Sequence, residues 1–154
     1  MTVDISGQRP ATVDIDALQE FVAATLEREG VPDDAELSIS FIGNEEIAAL
    51  NEEHLGKSGP TDVLSFPIED AAPGVPPRAR NGGPPLALGD IFISTDIVSA
   101  HATEYDVSLD DELHLIVCHG VLHLLGWDHV DDEDAEKMEA REAHHLATIG
   151  KVRR

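Results

Sequence analysis

The spacing of apolar residues along this chain switches between two and three-to-four, and each stretch of constant spacing predicts one element. Val3 and Ile5 alternate with polar neighbours over residues 2–6, the mark of a short strand. Ile15, Leu18, Val22 and Leu26 then recur at helical spacing, with Asp14 placed to cap and Gly30 to stop, which predicts an amphipathic helix over about 15–29. Leu37, Ile39 and Phe41 alternate with Glu36, Ser38 and Ser40, as a half-buried strand does. Asn44 stands where it would cap a short helix through Ile47 and Leu50.

Val63 to Phe66 reads as a strand stopped by Pro67, and Leu88 to Ile93 as a second, more apolar strand. Between them, the segment of about 70–87 is rich in proline and glycine and reads as a mobile loop within one domain. Ser94 or Asp96 opens a helix through about Glu104, and Ser108, with Asp111 three residues on, opens another. That second helix carries Leu109, Leu113, Ile116, Val117 and Leu122, apolar on most sides, and is predicted to be the buried central one. A last helix over about 132–148 has a narrow apolar stripe of Ala135, Met138, Leu146 and Ile149, followed by a frayed basic tail of Lys151, Arg153 and Arg154. Strands and helices alternate early and helices dominate late. The expected fold class is α+β: a single domain over 1–154, with a sheet of about four strands and the central helix packed across it.

The 154 residues suffice for one real core, and 42% apolar content is ordinary for a soluble globular protein. No apolar run is long enough to span a membrane and the N-terminus lacks a signal-peptide pattern, so a cytoplasmic location is expected. A single cysteine, Cys118, excludes an internal disulfide and reads as a small core residue. Charge changes the picture more. Thirty-one acids against ten bases give −21, which is unfavourable for touching nucleic acid unless the acidity belongs to the surface at large and a local cationic site draws phosphate in.

The candidate chemistry lies in His119-Gly120-Val121-Leu122-His123-Leu124-Leu125-Gly126-Trp127-Asp128-His129. His119 and His123 stack one turn apart on a helix, and Gly126 can take the left-handed conformation that turns the chain so that His129 joins them. Three neutral imidazoles with a fourth position open to water are the ligand set of a catalytic zinc. The spacing matches the metzincin peptidase pattern except that Gly120 stands where those enzymes carry their general-base glutamate, which argues against peptide hydrolysis. A helical glycine costs about 0.5–1 kcal/mol, so we read Gly120 as making room beside the metal. Asp128 is either a partner that orients an imidazole or an exposed turn residue. His114 is off the metal face, and His144 and His145, in a strongly charged helix, read as solvated surface.

Three blocks in order, Pro60-Thr-Asp-Val-Leu-Ser-Phe-Pro67, Leu88-Gly-Asp-Ile91 with Ile93-Ser94, and the histidine stretch, make residues 36–150 resemble the YbeY family of bacterial rRNA-maturation factors and metal-dependent endoribonucleases. The resemblance implies a metalloprotease-like (zincin-like) fold and one zinc ion per chain held by His119, His123 and His129. It further implies a hydrolase that cuts single-stranded RNA, with ribosomal RNA and the ribosomal subunit as partners, in 16S 3′-end maturation and ribosome quality control. In much of the family an arginine implicated in activity precedes the Gly-Lys pair; here Leu55 stands there. Lys57, Arg78 and Arg80 are therefore the candidate RNA contacts, with His54 a further source of positive charge. Trp127 replaces the family's usual tyrosine and keeps an aromatic wall. Two other readings follow from the same residues: a non-catalytic ribosome assembly factor with a structural zinc, and a metallopeptidase.

Overall fold

The computed structural model describes residues 1–78 and 82–154, so Arg80 lies outside the described residues. Four strands, β1 (Thr2–Gly7), β2 (Glu36–Ile42), β3 (Val63–Pro67) and β4 (Ala87–Ser94), form one sheet in the order β1-β2-β4-β3. β1 and β4 pair with β2 in parallel, and β3 runs antiparallel to β4 at the edge. The alternation in β2 decides its register: Leu37, Ile39 and Phe41 are buried, and Ile39 lies opposite Ile5 on one side and Ile91 on the other. A shift of one residue would turn all three outward.

Among the described residues there are five helices, α1 (Ile15–Arg28), α2 (Asn44–Leu55), α3 (Thr95–Glu104), α4 (Leu109–Leu124) and α5 (Asp132–Ala147); the first four pack on the sheet and α5 packs on α4. Asp14, Ser94, Ser108 and Asp131 cap α1, α3, α4 and α5, each accepting a backbone N–H from the first turn. At α2 the expectation of an Asn44 cap fails. Gly43 is the N-cap there, because the Asn44 side chain instead accepts the Ser94 hydroxyl at 2.5 Å, tying the start of α2 to the end of β4. α4 is the central helix, with Leu113, Val117, Val121 and Leu124 buried against β3, β4 and α1. Each such side chain is worth about 1.5–3 kcal/mol of burial, which holds the helix rigidly over the sheet.

The residues after α5 are not frayed. Lys151 Nζ donates to Asp110 at 2.8 Å and Asp111 at 2.5 Å, and Arg154 makes a two-pronged pair with buried Glu112 while its guanidinium lies 3.7 Å from the Tyr105 ring centre. Glu112 is an acid in the apolar body of α4 and needs a counter-charge, which the tail brings back across the helix. His145 also departs from expectation. His144 is exposed, but His145 is fully buried, with Nε2 3.3 Å from Glu29 Oε2 at the end of α1.

Glu29 accepts from Arg141 through both Nε and Nη2, which joins α1 to α5. Burial pushes the Glu29 carboxyl up, but His145 and Arg141 more than reverse this and hold it at about 2, against an ordinary 4.5. A value depressed by folding gives stability that is present above the unfolded pKa and lost as pH falls through the folded one. Melting temperatures should therefore fall between about pH 4.5 and 2 more steeply for the wild type than for Glu29→Gln. Equal pH slopes for the two proteins would contradict this coupling.

Candidate metal centre

Helix α4 ends in a turn whose hydrogen bonds fix the direction of the following chain. Gly126 N–H donates to His123 O at 3.1 Å and Trp127 N–H to Leu122 O at 3.0 Å, the paired bonds of a Schellman motif, with Gly126 at φ +92°. A Cβ on Gly126 would stand 2.2 Å from the carbonyl oxygen of Ala71, so the first part of the proline-rich segment packs on this turn. Trp127 then packs against the apolar cluster that contains Leu122, the kind of apolar contact that such turns carry. The turn delivers His129 to the exposed side of the histidine pair, and Asp128 Oδ1 accepts the His129 backbone N–H at 2.8 Å. Asp128 thus shapes the turn and makes no bond to an imidazole.

His119, His123 and His129 come together as expected. Their ring centres are 4.4, 5.4 and 5.2 Å apart, and one nitrogen from each lies within 4.8 Å of the other two, an arrangement that could hold a metal ion. The other ring nitrogens of the helical pair are already engaged. His123 Nδ1 donates to the Trp127 carbonyl at 2.9 Å, and His119 Nδ1 donates to Glu142 Oε2 at 3.0 Å. A carbonyl can only accept, so His123 carries its neutral-state proton on Nδ1. Glu142 is 1% exposed, and although burial opposes its charge, bonds from His119 and Arg153 hold its carboxyl below the usual range. It too acts as an acceptor.

When both imidazoles are neutral, both Nε2 atoms are left as lone pairs, 2.9 Å apart. Two acceptors cannot satisfy one another; a cation between them can. Burial, and then the neighbouring His119, push the His123 imidazole pKa down, which favours its neutral, ligating form over one that carries a proton. A tetrahedral ion with nitrogen bonds of about 2.0–2.1 Å sets its donors roughly 3.3 Å apart. The nitrogens here span 2.9 Å to at most 4.8 Å, so the donor set fits such an ion.

The three rings line an open cleft of about 680 Å³ together with residues of β3 and with Leu55, Lys57 and Thr61. Leu55 is 52% exposed in this lining. Lys57 lines the cleft; Arg78 is exposed and is not among the lining residues. His54 is exposed with its ring edge-on to Phe66 at 5.1 Å, outside the lining. Gly120 does not make room beside the metal. A Cβ there would meet Ile91, Ser65 and Val63 at 3.2–3.3 Å, and Ser65 Oγ donates to the Gly120 carbonyl at 3.0 Å, so this glycine lets α4 sit close on β3 and β4.

Glu142 is the site residue that reading the sequence missed. It stands four residues after Met138 and four before Leu146, on the apolar stripe of α5, and an acid in that position is a detectable signal. Cys118 is buried as expected, packed in the apolar cluster of Phe21, Leu115 and Leu122 and apart from the histidine group, with its thiol pushed up by burial.

A family model described as "Endoribonuclease YbeY" matches residues 7–150. A relative named Endoribonuclease YbeY from Oceanobacillus iheyensis is 41% identical over 136 residues, covering 88% of each chain. Those of Salinispora tropica and Bacillus subtilis are 39% and 40% identical, covering 96% and 89% of this chain and 96% and 85% of their own. The solution structure of a Thermotoga maritima protein superposes with a TM-score of 0.60 at 25% identity, covering 96% of this chain and 91% of that one.

Replacing Gly126 by alanine should cost at least about 2 kcal/mol in urea unfolding, from the left-handed backbone and the collision with Ala71. An unchanged urea midpoint would show that the turn is not held as described.

Proposed function

This chain belongs to the YbeY endoribonuclease family, and we propose that it cuts single-stranded ribosomal RNA using one zinc ion held by His119, His123 and His129. The observation that carries the reading is the pair of Nε2 lone pairs 2.9 Å apart, on imidazoles that line an open cleft. When bound there, a divalent ion supplies a Lewis acid that polarises a phosphoryl oxygen and makes water a better nucleophile.

The chain's own residues do the rest. Glu142 and the Trp127 carbonyl hold two imidazoles in the ligating tautomer, so no proton need be lost when the ion binds. Trp127 also lines the cleft and offers an apolar face on which a base can stack. Lys57, exposed on the cleft wall, is placed to neutralise one phosphate in an otherwise anionic surface. Arg78 is exposed on the proline-rich segment outside the cleft lining, and in this reading it would contact RNA beyond the cleft. No helix among the described residues is long and apolar enough to cross a membrane, and we place the protein in the cytoplasm, with the ribosomal subunit as its partner in 16S 3′-end maturation and quality control.

One observation favours a second reading. The charged residues lining the cleft, besides the histidines, are Lys57, Asp62 and Asp128, and Leu55 stands where much of the family has arginine. So weak a cationic wall suits an assembly factor that binds ribosomes and keeps its metal for stability. Peptide hydrolysis lacks a comparable observation, since Gly120 faces the sheet and offers no carboxylate.

Purified zinc-loaded protein should cut single-stranded RNA, whereas His123→Ala and chelated wild type should not. Equal cleavage in all three would contradict the proposal, and ribosome binding without cleavage would favour the assembly reading. Lys57→Ala should weaken RNA binding across sequences and lower the slope of log affinity against log salt by about 1. An unchanged slope would remove Lys57 from the contact.

A further inference from the structure

Behind the histidines, away from the cleft, a line of charges joins the metal centre to the segment that follows α5. Glu142 divides its carboxylate between two donors: Oε2 takes His119 Nδ1 at 3.0 Å, and Oε1 takes Arg153 Nε at 2.9 Å. The carboxylate is 1% exposed, so without a counter-charge its burial would be strongly unfavourable. Arg153 supplies that charge, and Glu139 adds a second acid 3.5 Å from its Nη2. On either side of Arg153, Lys151 and Arg154 pin the same segment to Asp110, Asp111 and Glu112 on the first turn of α4. Two of these rivets hold the tail to the ligand-bearing helix, and the one between them ends on a ligand's partner.

The two helical histidines are therefore unequal. His123 donates to a neutral carbonyl, whereas His119 donates to a buried carboxylate, which fixes its ring plane and aims its Nε2 at the other imidazoles. We propose that Glu142 is the positioning residue of His119, that Arg153 holds Glu142 in place, and that this Arg153–Glu142–His119 line thereby sets how tightly the three histidines bind a divalent ion. This rests on the metal-site reading above.

Zinc affinity can be measured by competition with a chromogenic chelator for the wild type, Glu142→Gln, Arg153→Ala, Arg153→Lys and Arg154→Ala, alongside the melting temperature of each metal-free protein. Glu142→Gln should weaken zinc binding by about 10–100-fold, and Arg153→Ala should weaken it in the same direction, with Arg153→Lys restoring part of the loss. Arg154→Ala, which breaks the tail's pair with Glu112 and does not touch Glu142, should lower the metal-free melting temperature and leave zinc affinity as in the wild type. In zinc-loaded protein, the His119 Nδ1–H resonance in ¹⁵N spectra should move in Glu142→Gln more than that of His123. Wild-type affinity in Glu142→Gln or Arg153→Ala, or equal losses in Arg153→Ala and Arg154→Ala, would overturn the inference while leaving the zinc reading intact. A wild type that binds no divalent ion would overturn both.

Discussion

The site depends on two imidazoles that are not free to turn. Each has its Nδ1 proton committed, one to a backbone carbonyl and one to a buried carboxylate, so when both are neutral their Nε2 lone pairs lie 2.9 Å apart. Such a pair of neutral rings is poorly satisfied by protein alone, and with His129 it could hold a metal ion. Much of the rest of the molecule maintains it. The sheet holds α4 from one side through Gly120, α5 brings Glu142 from the other, and the Schellman turn at Gly126 both presents the Trp127 carbonyl and returns the chain with His129. A loose core would let the rings rotate apart.

The charge distribution follows from the same need. The chain is strongly acidic, yet several of its bases serve internal acids: Arg141 goes to Glu29, Arg153 to Glu142, Arg154 to Glu112 and Lys151 to Asp110 and Asp111. These pairs let carboxylates sit inside or beside the apolar body, where an unpaired charge would be destabilising. They also leave few cations for a polyanion. Among the described residues, Lys57 is the lysine or arginine that lines the cleft.

Those features that depend on near neighbours were legible in the sequence. The histidine spacing, the glycine that ends α4 and the caps at Asp14, Ser94 and Ser108 all involve residues within one or two turns, and the pattern of apolar positions located the nine elements of the described residues. What escaped depends on distant partners. Asn44 looks like a cap until Ser94, fifty residues later in the chain, takes its side chain. His145 and the basic tail look solvated until Glu29, Glu142 and Glu112 are brought to them. Gly120 was misread for a related reason: its helix position is evident, but whether its bare side faces metal or sheet depends on where β3 lies. Glu142 sat in view on the apolar stripe of α5, hidden by the many acids around it.

X-ray absorption at the metal edge of zinc-loaded protein examines this arrangement most directly, because it reports the atoms bound to the ion. The account predicts three imidazole nitrogens at about 2.0–2.1 Å with a light oxygen completing the shell. A sulfur neighbour at about 2.3 Å, or fewer than three imidazoles, would contradict it.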